Sequence, residues 1–131
     1  MLDNNNCQSE NITSKIENDC WANELPSIPG LVLDEEVCDY WLNKEDFLER
    51  LDQFILNTRE QSKLLNSMMA DNNITDMKKL LHKLKGSVKL YGAKRLFKSI
   101  QEFEDVFKTD NHTALLKIKA EFDNAVFEIT T

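Results

Sequence analysis

The chain has little glycine, proline or cysteine, and it has no long apolar run. Its 131 residues include three glycines, two prolines and three cysteines. No stretch approaches the roughly 18 apolar residues that cross a bilayer, so we expect no membrane insertion. The first residues contain neither a basic segment nor an apolar one, which argues against a cleaved signal peptide. We therefore expect a cytoplasmic protein.

The cysteines are too few and too widely spaced to indicate a zinc site or a disulfide framework. Cys7, Cys20 and Cys38 are an odd number and include no CxxC pair. Unpaired cysteines are typical of reducing compartments, which agrees with the cytoplasmic prediction. We expect no metal ligand in the chain.

Charge is distributed unevenly along the chain. The formal net charge is −7, yet residues 77–98 contain eight lysines and arginines and no acidic residue. The acidic remainder argues against non-specific binding to nucleic acid, whereas the basic island favours one specific acidic partner. Direct nucleic-acid binding by residues 78–98 is the weakest alternative, because no helix-turn-helix pattern is present.

Proline and glycine divide the chain into two regions. Both prolines and Gly30 fall in the segment ELPSIPG. Residues 1–29 are rich in Asn, Ser and acids, which predicts a flexible tail or linker. From Leu31 onwards the apolar period is helical, so residues 30–131 are predicted to form the folded domain.

Capping residues and apolar stripes predict one short helix and four long ones. Asn43 and Asn73 are expected N-caps, each followed by an aspartate at the third helical position. The stripe of the first long helix is predicted to include Leu48, and Gly92 is expected to end or bend the second. The predicted helices cover about 34–42, 44–71, 74–91, 93–108 and a last one starting near 110–111. We expect an all-α fold, an antiparallel four-helix bundle with a short N-terminal covering helix.

His82 is predicted to lie off the core of the second long helix. On a helical wheel it falls outside the apolar stripe, on a face shared with Lys78, Lys85 and Lys89. Gly86, one turn away, is the only glycine inside a helix and costs about 1 kcal/mol relative to alanine. A residue without a side chain beside an exposed imidazole lets another surface approach closely.

Each of these residues also has an ordinary structural interpretation. A single histidine on a helix is most often incidental, and a run of lysines is most often a solvated face. Gly86 would equally serve a close approach between two helices. At the predicted start of the last helix, His112 has only this ordinary interpretation.

The stretch LHKLKGSVKLYGAKRL, residues 81–96, resembles the signature of histidine-containing phosphotransfer (HPt) domains, H-x-L-K-G-[SA]-x-x-x-x-G-A-x-x-L. Eight residues match in register: His82, Leu84, Lys85, Gly86, Ser87, Gly92, Ala93 and Leu96. The segments IPGLVLDEEVCDYW and DFLERLDQFILN also resemble the family's lead-in and its first bundle helix. One departure is Leu81, where the family often has alanine, and we expect it to alter packing rather than chemistry.

The resemblance implies a role for several residues. His82 would accept and donate the phosphoryl group, and Lys85 would offset the charge of the phosphoryl oxygens. Glu104, 22 residues after the histidine, would accept a hydrogen bond from the imidazole nitrogen that does not react. Gly86 would leave room for the partner. Further candidates for partner binding are Lys78, Lys83 and Lys89.

The resemblance also implies a phosphoryl carrier without a nucleotide site or kinase activity of its own. Its partners would be response-regulator receiver domains and a hybrid sensor histidine kinase, and the receiver would supply Mg²⁺. The carrier itself would need no cofactor. The resemblance leaves the oligomeric state open, and we expect a monomer by default. The main alternative is a helical adaptor that keeps the fold, binds a receiver or kinase domain and transfers no phosphate.

Overall fold

The computed structural model describes residues 20–109 and 112–130. Within these residues it contains α-helices and two short 3₁₀ helices, and no β-strand. The α-helices are α1 (Glu35–Tyr40), α2 (Lys44–Ala70), α3 (Ile74–Val88), α4 (Lys94–Phe107) and α5 (His112–Thr130). The 3₁₀ helices are Trp21–Glu24 and Lys89–Tyr91. The all-α prediction is confirmed, with helix bounds within a few residues of those expected.

Both predicted N-cap residues cap their helices, α2 and α3. The Asn43 side chain accepts a hydrogen bond from the Asp46 N–H, and the Asn73 side chain accepts one from the Asp76 N–H. Each cap satisfies an amide that has no partner within its own helix. The connections between consecutive bundle helices are short, and these helices pack against each other.

Helices α2 to α5 form the four-helix bundle. Helix α3 packs between α2 and α4, and α5 closes the ring by packing on α4 and α2. The contacts between α3 and α4 run in opposite directions along the two helices, from Lys78 beside Phe107 to Lys85 beside Phe97. This order shows that α3 and α4 are antiparallel, as the short connections predict.

The apolar stripes of α3 and α4 lie in the core. On α3, Met77, Leu81 and Val88 have no exposed surface, and on α4 the same holds for Leu96 and Phe103. These side chains fill the space between the helices, and their burial fixes the rotation of α3 in the bundle. The rotation decides which residues of α3 face solvent, and His82 is among them.

One predicted core position is wrong. Leu48 was expected on the buried stripe of α2, yet 39% of its surface is exposed. It lies one position after Phe47, which is fully buried and contacts the rings of Trp21, Trp41 and Tyr91. The first turn of α2 is therefore covered by aromatic residues from outside the bundle, on the side of Phe47 rather than that of Leu48.

The segment 20–29 differs from the predicted flexible tail. Trp21 is buried, and its indole N–H donates a hydrogen bond to the Trp41 carbonyl at 2.6 Å. Trp41 in turn donates to the Leu90 carbonyl at 2.7 Å, just beyond α3. The burial of Trp21 and the hydrogen bonds of Trp21 and Trp41 hold this polar segment against the folded domain. The packed part of the chain therefore begins before residue 30. The rest of the predicted tail, residues 1–19, lies outside the described residues.

The prediction that the cysteines are unpaired is also wrong. Cys20 and Cys38 form a disulfide, with their Cα atoms 5.8 Å apart. The bond joins the segment that carries Trp21 to the covering helix α1. Spacing in the sequence did not reveal the pair, because their contact depends on the folding of α1 back over the lead-in segment.

Gly92 holds the connection between α3 and α4 close to the lead-in. Its φ of +74° lies in the left-handed region, which favours glycine. Its carbonyl accepts a hydrogen bond from the Val32 N–H at 2.7 Å, and a Cβ at Gly92 would lie only 3.0 Å from the Val32 carbonyl carbon. The glycine therefore ends the helical run and allows the two backbones to meet.

None of the helices in the described residues is long and apolar enough to cross a membrane.

Candidate functional site

The His82 side chain projects from the bundle into solvent. It is 83% exposed, while its neighbours Leu81 and Leu84 on α3 are buried at 0% and 2%. The burial of these leucines fixes the helix so that the imidazole points outward. The predicted position of His82 off the core is confirmed. An exposed imidazole on a rigid helix is well placed to reach a group on another protein.

Glu104 on α4 faces one edge of the imidazole. Its Oε2 atom lies 3.8 Å from His82 Nδ1, too far for a direct hydrogen bond but close enough for an electrostatic interaction. The glutamate side chain is 27% exposed, so it is partly shielded by the groove between the helices. With Nδ1 turned towards the carboxylate, Nε2 is the nitrogen on the far side of the ring.

Lys85 is engaged by the same carboxylate. Its ammonium donates to Glu104 Oε1 at 2.8 Å, and it lies 5.8 Å from the centre of the Phe97 ring. Both partners of this ion pair are about 30% exposed or less. The glutamate thus bridges Lys85 and His82, with one oxygen towards each. A charge-assisted hydrogen bond of this length fixes the lysine one turn from the imidazole.

Gly86 lies exposed on the His82 side of α3. A Cβ built at this position would have no heavy atom within 4 Å. The structure therefore excludes the alternative in which Gly86 permits a close approach between helices of the bundle. Within the described residues no neighbour requires a glycine at this point.

The remaining candidate lysines lie on different sides of His82. Lys78 lines a groove with His82, Glu104, Phe107 and Lys108. Lys89 lines a second groove, between α1 and α4, that includes Phe97. Lys83 lies on the opposite side of α3, towards α2. The structure therefore brings His82, Lys85 and Glu104 together as one cluster and places the other lysines around it.

Phe97, Phe107 and Lys108 belong to the surroundings of the site but were not predicted as site residues. The antiparallel register of α3 and α4 brings Phe107 and Lys108 near the histidine and Phe97 near Lys85. A comparison of the two helical wheels in that register would have indicated them.

No cluster of three or more histidine, cysteine or acidic side chains able to hold a metal ion occurs in the described residues.

A comparison with protein-family models assigns the family. The model of the Hpt domain matches residues 45–128, which include nearly all of α2, all of α3 and α4, and most of α5. The chain belongs to the Hpt domain family. No curated protein and no solved structure shows a significant match to the chain.

Membership in this family defines the general function of the protein. Hpt domains take part in phosphotransfer in two-component signalling, and they interact with receiver domains. They are phosphocarriers rather than classical enzymes. The bundle and the resemblance of residues 81–96 to the HPt signature agree with this assignment.

Proposed function

We propose that His82 accepts a phosphoryl group from the aspartyl phosphate of one receiver domain and passes it to the aspartate of another. The observation that carries this proposal is the cluster at the surface of α3 and α4. An imidazole that is 83% exposed has a carboxylate 3.8 Å from one nitrogen and leaves the other nitrogen open. The burial of Leu81 and Leu84 holds α3 in the rotation that presents this imidazole to a partner.

The proposed transfer uses Nε2 as the nucleophile. The Nε2 lone pair attacks the phosphorus of the aspartyl phosphate, the N–P bond forms, and the P–O bond to the aspartate breaks. The aspartate leaves as a carboxylate. In the onward step the aspartate of the second receiver attacks the same phosphorus, and the electron pair of the N–P bond returns to the imidazole. Such transfers need positioning and charge neutralisation rather than covalent chemistry from the carrier.

Glu104 acts on the other nitrogen in this proposal. Attack through Nε2 requires the tautomer that carries its proton on Nδ1, and it places positive charge on the ring. A carboxylate facing Nδ1 favours that proton and offsets that charge. Contraction of the 3.8 Å separation to hydrogen-bond distance needs only a small side-chain movement.

Lys85 supplies positive charge near the transferred group. In the absence of phosphate its ammonium is bound to Glu104 at 2.8 Å. The side chain is long and flexible, so it can move from Glu104 towards phosphoryl oxygens on His82, one helical turn away. Gly86 leaves the surface beside these groups open, and Lys83 and Lys89 extend the positive potential that attracts an acidic partner.

The partners and cofactors follow from the same proposal. The receiver domain brings its own Mg²⁺ with its aspartate, and the HPt domain has no cofactor of its own. A hybrid sensor histidine kinase stands upstream, and the domain acts as a monomer. We place the protein in the cytoplasm with its receivers. Because Cys20 and Cys38 are bonded, this location rests on the family's partners and not on cysteine usage.

The test compares the wild type with His82→Gln and His112→Gln, the two variants that each remove one of the chain's histidines. Each is mixed with phosphorylated receiver domains, and intact mass reports the phosphate. We expect the wild type and the His112→Gln variant each to carry one acid-labile phosphate on His82. We expect the His82→Gln variant to carry none.

Two results would contradict the proposal. Phosphate on the His82→Gln variant would place the acceptor elsewhere. A wild type that binds receivers and never takes phosphate would favour the adaptor. Circular dichroism should show His82→Gln fully folded, because an exposed side chain contributes little to stability.

A further inference from the structure

A groove beside His82 extends beyond the groups that take part in the transfer chemistry described above. It runs between α3 and α4 and is lined by Lys78, His82, Glu104, Phe107 and Lys108. We call it the Phe107 groove. It opens on the Glu104 side of the imidazole, so a protein that covers His82 also covers this groove.

The aromatic wall of the groove is held in place. The Phe107 ring stacks on the ring of Phe103, with centroids 5.9 Å apart and planes 25° from parallel. Phe103 is itself fully buried in the core. Phe107 remains half-buried at the surface, so it offers a fixed apolar face next to a polar site. Apolar faces of this kind at the centre of a charged surface are typical of protein interfaces.

The rim of the groove is positive. Lys78 is exposed, its ammonium lies 6.0 Å from the centre of the Phe107 ring, and it forms no ion pair with the described residues. Lys108 lies 4.0 Å from Asp105, and both side chains are nearly 80% exposed. An ion pair this exposed contributes little stability. Glu104, the one carboxylate among the described residues that line the groove, is already bound to Lys85. An acidic side chain of a partner therefore fits the positive rim, and an apolar side chain fits the Phe107 wall.

We propose that the Phe107 groove selects the receiver domain by binding an acidic side chain against Lys78 and a neighbouring apolar side chain against Phe107. Lys78 lies one helical turn before His82 on α3, so both fall within one ordinary interface, which buries about 800 Å² on each partner. This inference rests on the proposed function, because it identifies the receiver as the occupant. Lys78 and Phe107 determine specificity here and take no part in the transfer itself.

The test is a pair of charge reversals, Lys78→Glu and Lys79→Glu. Both lysines are exposed on α3 and the net charge of the two variants is identical, but only Lys78 lines the groove. Calorimetry measures the binding of isolated, unphosphorylated receiver domains that bind the wild type. We expect Lys78→Glu to weaken binding by about 10-fold and Lys79→Glu by less than about 2-fold, since like charges are costly only where they are juxtaposed.

A second variant tests the apolar wall. Phe107→Leu keeps an apolar side chain on Phe103 but removes the flat ring, so the domain should remain folded while receiver binding weakens. Equal effects of the two charge reversals would overturn the groove as the selective surface, even if His82 carries phosphate normally. Loss of binding by Lys78→Glu in a protein that transfers no phosphate would support the groove and overturn the relay function. Failure of the wild type to bind any receiver would overturn both.

Discussion

The carboxylate of Glu104 lies between His82 and Lys85, with Oε2 3.8 Å from the imidazole Nδ1 and Oε1 2.8 Å from the ammonium. The two basic side chains belong to α3 and the acidic one to α4, so the packing of two helices creates the cluster. The same glutamate can therefore orient the imidazole and hold the lysine.

Replacement of Glu104 should alter the tautomer of His82 as well as the rate. In Glu104→Ala we expect transfer to slow by about 10-fold, or about 1.4 kcal/mol of transition-state stabilisation. Nitrogen-15 NMR should show a smaller fraction of the Nδ1–H tautomer. Glu104→Gln, whose amide oxygen can still accept from Nδ1, should retain more of that tautomer. A rate and tautomer unchanged in Glu104→Ala would remove Glu104 from the site.

Gly86→Ala should separate stability from function. Because a Cβ at this position meets nothing within 4 Å, alanine should raise the free energy of unfolding by about 1 kcal/mol through its higher helix propensity. We expect phosphoryl transfer to slow, since the added methyl group projects into the space that the proposed function assigns to the receiver. Thermal unfolding and transfer rates measure the two effects. Gly92→Ala is the control: its positive φ and the nearby Val32 carbonyl should make it destabilising. A destabilised Gly86→Ala would show that the glycine serves the fold.

The Cys20–Cys38 disulfide should contribute to stability. It joins residues 18 apart in the sequence, and closing a loop of similar size stabilises a domain by about 3 kcal/mol in the chain-entropy account. Reduction should therefore lower the unfolding midpoint in urea. The double variant Cys20→Ser with Cys38→Ser should unfold like the reduced wild type and be insensitive to reductant. A wild type equally stable with and without reductant would contradict this expectation.

The ion pair between Asp34 and Lys94 should make the covering helix sensitive to acid. Burial raises the pKa of Asp34, whereas hydrogen bonds from Lys94, at 2.6 Å, and from the Val37 N–H lower it. The lowering is the larger effect, so the pKa lies below its usual range. The carboxylate therefore adds stability above its unfolded pKa of about 3.9, and this stability is lost as the pH falls through the lower folded value.

Asp34→Asn tests this dependence, because asparagine retains the N-cap of α1 and removes the charge. The wild type should be more stable than the variant at neutral pH, and the difference should vanish in acid. At the alkaline end, the hydrogen bond to Asp34 raises the pKa of Lys94. The stability that the Lys94 ammonium contributes is therefore complete below its unfolded pKa of about 10.4, and it is lost as the pH rises through the higher folded value. Urea unfolding at several pH values measures both limbs, and a difference that persists in acid would contradict the assignment.

Features that depend on local sequence were predictable. Asn43 and Asn73 mark helix starts because capping involves residues only three positions apart. The exposure of His82 follows from the spacing of the apolar residues around it on one helix. The signature in residues 81–96 adds a fixed spacing that composition does not contain, and that spacing is sufficient to indicate the family.

Features that depend on contacts between distant segments were not predictable. The burial of Trp21 requires the carbonyl of Trp41, which only the folded α1 region presents. The disulfide requires the same folding. The pairing of Lys85 with Glu104 depends on the register of two helices and on side-chain rotamers. A helical wheel drawn for one helix gives neither the register between two helices nor the side-chain rotamers.

The most direct test of the account is the position of the phosphate on the imidazole ring of His82. Proton–phosphorus correlation NMR of the phosphorylated domain distinguishes the two nitrogens, because a phosphate on Nε2 couples to both ring protons and one on Nδ1 couples to only one. We expect coupling to Hδ2 and Hε1 of His82, with Nδ1 left towards Glu104. A phosphate on Nδ1, or on any residue other than His82, would contradict it.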